Sequence, residues 1–192
     1  MAKEEKILHY LDIPIQHCSD RLIKLMNRKG GRQFLLNLFA KIRDRLPDIC
    51  LRTSLITGFP SETEEEFTEL CRFIEEVRFD RMGVFAFSPQ EGTPAYTMEG
   101  QIEEETKRYR QEILMNLQNR ISSQINERQM GKTLTVLCEG TEEGRCYGRS
   151  YKDSPDIDPK VYFSSEHPVR PGEFIPVNIT GHDDYDLTGI RE

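Results

Sequence analysis

The hydrophobic period changes once along the 192-residue chain, near Arg128, and that change limits the fold more than any other feature. Upstream, β-type runs alternate with helical stripes. Residues 7–15 (ILHYLDIPI) read as a strand ended near Pro14, and Ser19 then offers an N-cap to a short helix carrying Leu22, Ile23 and Met26. After Gly30-Gly31, the residues Phe34, Leu35, Leu38, Phe39, Ile42 and Leu46 trace one helical face that stops before Pro47. Residues 49–57 (ICLRTSLIT) follow as a strand. Ser61 with Glu64 reads as a capping box, opening a helix whose stripe is Phe67, Leu70, Cys71, Ile74 and Val77. Residues 80–88 return as a strand, and a helix from about Ile102 to Arg128 presents Ile102, Tyr109, Ile113, Leu117, Ile121 and Ile125. Glu64–Glu66 and Glu103–Glu105 fall in first helical turns, where the helix dipole favours them without any catalytic role.

From Lys132 onward the chain is short β-type runs broken by Gly, Pro and Asp: 132–138, 145–150, 160–163, 173–180 and 184–190. Five such runs without a helical stripe predict a small barrel of the OB type. The fold class is therefore α/β followed by all-β, with domains at 1–127 and 128–192. Three tandem strand–helix units demand a parallel sheet but are too few to close an eight-unit barrel, so the first domain reads as a small open sheet or as the later part of a larger α/β domain. The chain begins almost directly in a strand, which favours the second reading. Residues 1–127 hold 18 basic and 21 acidic side chains, net −3, and residues 128–192 hold 8 and 12, net −4. The smaller segment is the more acidic, which suits a basic protein partner better than phosphates. No apolar run reaches the length of a membrane span and no secretory signal precedes the first strand, so a cytoplasmic protein is expected. Cys18, Cys50, Cys71, Cys138 and Cys146 contain no CxxC pair and read mostly as core thiols.

Three segments sit just past predicted strands. Thr57-Gly58-Phe59-Pro60 lies at a carboxyl end, where α/β sheets hold ligands, and Gly58 would let a flat ring approach the backbone; an ordinary βα turn explains the same residues. Residues 87–95 (FSPQEGTPA) form a polar loop on that side, either functional or merely connecting. Gln16 and His17 end the first strand, and His17 reads as an acid or base or as a structural histidine. In the second domain, residues 148–159 join Tyr151 to Asp153, Asp156 and Asp158. The loop lacks the Gly and final Glu of an EF-hand, which leaves turn-forming aspartates or an acidic docking surface.

In this order, YLDIPIQHCSDRLIKLMNR (10–28), LRTSLITGFPSETEEEF (51–67), FAFSPQEGTPAY (85–96) and GRSYKDSPDIDPKVYF (148–163) resemble the carboxyl-terminal portion of radical-SAM methylthiotransferases. The first and fourth motifs are similar to the branch that methylthiolates an aspartate of a small-subunit ribosomal protein; the second and third are shared with branches that modify tRNA. The resemblance implies a partial radical-SAM βα barrel followed by a five-stranded TRAM barrel. It implies S-adenosyl-L-methionine against Gln16, Arg52, Ile56, Gly58 and Phe59, with Ser88 near the rim. It also implies a TRAM surface, including Tyr151, Asp153, Asp156 and Asp158, that docks a basic ribosomal protein and binds little nucleic acid.

The family holds a [4Fe–4S] cluster on a CxxxCxxC motif, whereas Cys18, Cys50 and Cys71 stand 32 and 21 residues apart. The [4Fe–4S] ligands are thus expected in the parent protein and not in these residues, which assigns no metal here and predicts an inactive chain when alone. Two other readings stay open: a fragment of a tRNA methylthiotransferase, and a non-catalytic adaptor carrying an OB-like module. Exposed strand edges of a partial barrel make self-association an expectation.

Overall fold

The structure is a computed structural model that describes residues 1–4 and 6–192, and it divides into two compact units. The unit Leu11–Gln118 holds the parallel sheet, and the unit formed by Met1–Tyr10 with Asn119–Glu192 holds the barrel. Elements run in the order β1 (Tyr10–Asp12), α1 (Asp20–Leu25), α2 (Arg32–Arg45), β2 (Cys50–Thr57), α3 (Glu64–Val77), β3 (Arg81–Ala86), a single 3-10 turn at Pro94–Tyr96, and α4 (Glu104–Glu127). The strands β4 (Thr133–Glu142), β5 (Arg145–Arg149), β6 (Val161–Ser164), β7 (Phe174–His182) and β8 (Leu187–Arg191) complete the chain.

The sheet has the order β1-β2-β3, and β2 runs parallel to β3 with Arg52 opposite Arg81 and Thr57 opposite Ala86. Alternation along β2 sorts the side chains: Leu51, Thr53, Leu55 and Thr57 are buried, while Arg52, Ser54 and Ile56 are half-buried on the other face. The buried core of this unit gathers Leu22, Phe39, Leu70, Phe73, Ile74 and Phe79, with Phe79 edge-on to Phe39 at 5.0 Å. Ser19 caps α1 as expected, its side chain accepting from the Leu22 amide.

Several expectations need correction. The first strand is three residues long, not nine. Pro14 has no amide proton to give the ladder, and Ile7 and Leu8 stay 46% and 61% exposed. The sheet is touched once more at Gln16, which bridges Leu55 in the parallel sense. The box that opens α3 is Thr63 with Glu66, not Ser61 with Glu64, because Ser61 adopts φ 66° and gives its amide to the Gly100 carbonyl at 2.7 Å. Phe34 and Tyr109, both assigned to core faces, are 58% and 64% exposed. The face that α4 buries is Lys107, Arg110, Leu114, Leu117, Gln118, Ile121, Ser122 and Asn126, half of it or more polar. These side chains bond specific acceptors: Gln118 donates to the Phe79 carbonyl at 2.9 Å, and Asn126 to the Tyr185 carbonyl at 2.9 Å.

The barrel closes in the order β4-β5-β6-β8-β7, all neighbours antiparallel except β6 and β8. Its core is Leu134, Val136, Cys138, Val161, Phe163, Ile175, Val177, Ile179 and Leu187. Irregularities at Cys138/Gly140 and Ile179/Gly181 bend the two long strands enough to close so small a cylinder. Gly148 is required where β5 crosses β4, since a Cβ there would stand 2.0 Å from the Leu137 carbonyl oxygen. Cys18, Cys50 and Cys138 are buried, and no disulfide joins the five cysteines among the described residues. Burial pushes the Cys71 thiol up to about 11, and raises Cys18 and Cys138 as well, so these three are not poised as thiolates.

Two titrations test these contacts. Burial opposes ionisation of Glu66, yet hydrogen bonds from Arg21, Ser19 and Thr63 outweigh it and hold the carboxyl at about 2. Its contribution is present above the ordinary value of 4.5 and is lost as pH falls towards 2. Glu66→Gln should therefore cost roughly 1–2 kcal/mol at pH 7 after solvent screening and almost nothing at pH 2, measured by urea unfolding. His182 places Nε2 2.7 Å from Glu127 and Nδ1 2.8 Å from the Asp183 carbonyl. Both partners accept, so the imidazolium satisfies both, and the bond to Glu127 raises its pKa. That contribution is complete below the ordinary 6.5 and fades as pH rises through the raised value. His182→Gln should remove a pH-dependent increment of ~0.5 kcal/mol from barrel stability.

Candidate functional site

The turn after β2 is built around a buried carboxylate. Glu62 is 4% exposed and accepts the Gly58 amide, while its own amide bonds the Phe59 carbonyl at 2.9 Å. Its other neighbours are charged or polar and also buried: Arg110 Nη1 lies 3.6 Å from Oε2, and His17 Nε2 lies 3.8 Å from Oε1. His17 is fully buried and its Nδ1 accepts the Ser19 amide at 2.9 Å, which leaves the ring proton on Nε2, directed at Glu62. Arg110 continues to Glu64 at 3.0 Å and stacks over Phe67 at 5.2 Å. Glu62 thus joins the end of the first strand segment, the turn after β2 and the first half of α4.

This carboxylate sets the turn, and the turn sets the surface. Gly58 has φ +70°, a conformation that side-chained residues rarely adopt. A Cβ there would also meet Lys107 Cγ at 2.2 Å. Phe59 packs edge-on against Phe87 at 5.2 Å, and the Phe87 amide bonds the Thr57 carbonyl at 2.8 Å, so the residues just after β2 and β3 are fastened to each other. Gln16 lies beside Leu55 and Ile56, on the β1 side of β2. Its amide donates to Ser54 and its carbonyl accepts from Ile56, at 2.9 and 2.8 Å, with φ 69°. A left-handed glutamine costs conformational energy and is held there by that ladder.

The structure thus brings Gln16, Ile56, Gly58 and Phe59 together at the carboxyl end of the parallel sheet. Ser88 follows one residue after Phe87 and is exposed, its hydroxyl accepting from Gln90 at 3.1 Å. Arg52 is set apart. It shares the half-open face with Ile56 but stands four residues upstream, about 13 Å along the strand. There it pairs with Asp12 at 2.7 Å. That face also carries Ser54, Gly83 and Phe85, the last 58% exposed.

In the barrel unit the loop after β5 is ordered by its own aspartates. Asp153 is 6% exposed and accepts from the Ser150 amide and hydroxyl at 3.0 and 2.7 Å. Asp158 accepts from the Ser154 amide at 2.8 Å and from the Tyr10 hydroxyl at 3.4 Å. Tyr151 packs on the barrel core with Lys152 above its ring at 5.5 Å. Of the four candidate residues, Asp156 alone is exposed, at φ 62°.

Sequence reasoning missed Glu62, Arg110, Lys107 and the Asp12–Arg52 pair. A signal existed in the charged residues that interrupt the apolar stripe of α4 at 107 and 110, but an apolar period reads them as surface. The donor set does not suit an iron–sulfur cluster: no group of three His, Cys, Asp or Glu converges among the described residues.

Comparison with known proteins follows the same division. Residues 1–74 match the Radical SAM superfamily and residues 130–191 match the TRAM domain. A protein of Pelotomaculum thermopropionicum named ribosomal protein uS12 methylthiotransferase RimO is 50% identical over 192 residues, covering 98% of this chain and 43% of that protein. Proteins with that name from Clostridium botulinum and Acetivibrio thermocellus are each 46% identical over 99% and 98% of the chain, which covers 43% and 42% of them. The chain spans less than half the length of these relatives. Glu62→Ala should destabilise the sheet unit by about 3–5 kcal/mol, since it leaves Arg110 without a buried counter-charge; chemical denaturation measures this, and Arg110→Met in the same background should recover part of the loss.

Proposed function

The chain belongs to the radical-SAM methylthiotransferases that carry a TRAM domain, and from that premise we propose that it forms the cofactor wall and substrate-docking barrel of an enzyme that methylthiolates an aspartate of ribosomal protein uS12. The observation that carries this reading is the gathering of Gln16, Ile56, Gly58 and Phe59 at one end of a parallel sheet, the side on which α/β sheets hold ligands. S-adenosyl-L-methionine, when bound there, supplies the methyl group and the radical chemistry. Gly58 sets the turn with the stem of Lys107 laid across it, Phe87 offers an aromatic edge beside the buried Phe59, and the ladder through Gln16 fixes polar groups at the strand end. Arg52 stands farther down the same face as a cation held by Asp12, and Ser88 marks the rim.

The [4Fe–4S] clusters belong to the parent protein; among the described residues no ligand set for them converges. The division at 127/128 is kept for the functional parts, supported by β4 starting at Thr133 and by the match beginning at residue 130. The barrel, net −4, docks the basic ribosomal protein, with Asp156 as its exposed carboxylate in the 148–159 loop and Tyr151, Asp153 and Asp158 shaping that loop. The setting is the cytoplasm; no described helix is long and apolar enough to cross a membrane. By itself the chain is inactive, and the outer edges of β1 and β3 allow it to self-associate.

A longer protein that adds the CxxxCxxC segment should modify uS12 and leave tRNA unmodified, read by mass spectrometry. Modification of tRNA alone overturns the assignment and favours the tRNA-modifying branch. If neither is modified although the CxxxCxxC cluster is loaded, the adaptor reading stands. Gly58→Ala should weaken S-adenosylmethionine binding by about tenfold or more, ~1.4 kcal/mol, through strain at positive φ and displacement of Lys107.

A further inference from the structure

Lys107 is 4% exposed although it carries an ammonium group. Its backbone is fixed by Thr57, whose hydroxyl donates to the Lys107 carbonyl at 3.1 Å. Its stem lies across Gly58, and its Nζ comes to 5.5 Å from the centre of the Phe87 ring. The cation therefore reaches the carboxyl ends of β2 and β3, where Phe59 and Phe87 meet. An ammonium has three protons to give. The carboxylate that faces it, Glu104, forms a long ion pair with it at 3.6 Å. Glu104 is itself 57% exposed and accepts from Arg108 at 3.2 Å.

Packing alone does not explain this residue. A methionine would cover Gly58 equally well with no charge to take out of water. A ligand carboxylate arriving at Nζ would add charge-assisted hydrogen bonds shorter than the ion pair to Glu104, and it would strand nothing, because Arg108 and solvent retain Glu104. The ring of Phe87 supplies partial compensation until then.

We propose that Lys107 is a carboxylate-recognising residue at the carboxyl end of the parallel sheet. This rests on the function proposed above, which brings two carboxylates to that place: the amino-acid end of S-adenosylmethionine and the side chain of the target aspartate. The test is calorimetric titration of the 192-residue chain, Lys107→Met and the charge-retaining Lys107→Arg, with Lys107→Gln as a second uncharged variant and melting temperature as the fold control. The probes form two pairs: S-adenosylmethionine against 5′-methylthioadenosine, and a short basic peptide with one aspartate against the same peptide with asparagine. The wild type should prefer the carboxylate-bearing member of one pair by about fivefold or more, and the pair that responds identifies the source. Lys107→Met should lose that preference while still binding the carboxylate-free member, and Lys107→Arg should keep most of it. Equal preference in wild type and Lys107→Met, or no preference in either pair, overturns the proposal. Failure of methylthioadenosine to bind counts against the cofactor wall instead, and the peptide pair then decides the role of Lys107.

Discussion

The carboxylate of Glu62 is the constraint on which the sheet unit depends. It is buried, it accepts the Gly58 amide, and it faces His17 from the first strand segment and Arg110 from α4. A charge held away from water is tolerable only when its partners are in place, so these three pieces of chain are fixed together or not at all. The positive φ of Gly58, the edge contact of Phe59 with Phe87 and the covering stem of Lys107 follow from that fixed point. A site that must hold a ligand to within fractions of an ångström needs such a frame behind it.

The two units solve the burial problem differently. The barrel is apolar inside, with aliphatic side chains, Phe163 and a cysteine from five strands, and the two strand irregularities relieve the strain of closure. The sheet unit buries Leu22, Phe39, Leu70, Phe73 and Phe79 together with the charged and polar face of α4, and is half-open on the face of Arg52, Ser54, Ile56 and Phe85. That open face carries an ion pair, Asp12 with Arg52, together with an exposed aromatic ring. Such a mixture suits contact with a ligand or with further protein better than contact with water alone.

Much of the architecture was legible from residue order. The strands of the barrel fell within a few residues of the predicted runs because Gly, Pro and Asp punctuate them, and Ser19 as the cap of α1 follows from the hydroxyl chemistry of that position. What misled was local pattern without tertiary knowledge. Ile7 and Leu8 look like strand, yet no neighbour in the sheet pairs with them. Ser61 looks like a cap, but its left-handed backbone moves the helix start to Thr63. The buried face of α4 is polar because it bonds carbonyls and carboxylates that lie far away in sequence, and no hydrophobic period can reveal that. The candidate site divides the same way: the GFP turn and Gln16 were visible as strand-end residues, whereas Glu62, Arg110 and Lys107 act through partners more than forty residues away.

The account turns on the carboxyl end of the parallel sheet being a wall for an adenosyl ligand. The most direct measurement is amide chemical-shift mapping of the ¹⁵N-labelled chain titrated with S-adenosylmethionine. The account predicts saturable shifts concentrated at Gln16, Ile56, Gly58 and Phe59. Saturable shifts confined to β4–β8, or none at any residue of the sheet unit, would contradict it.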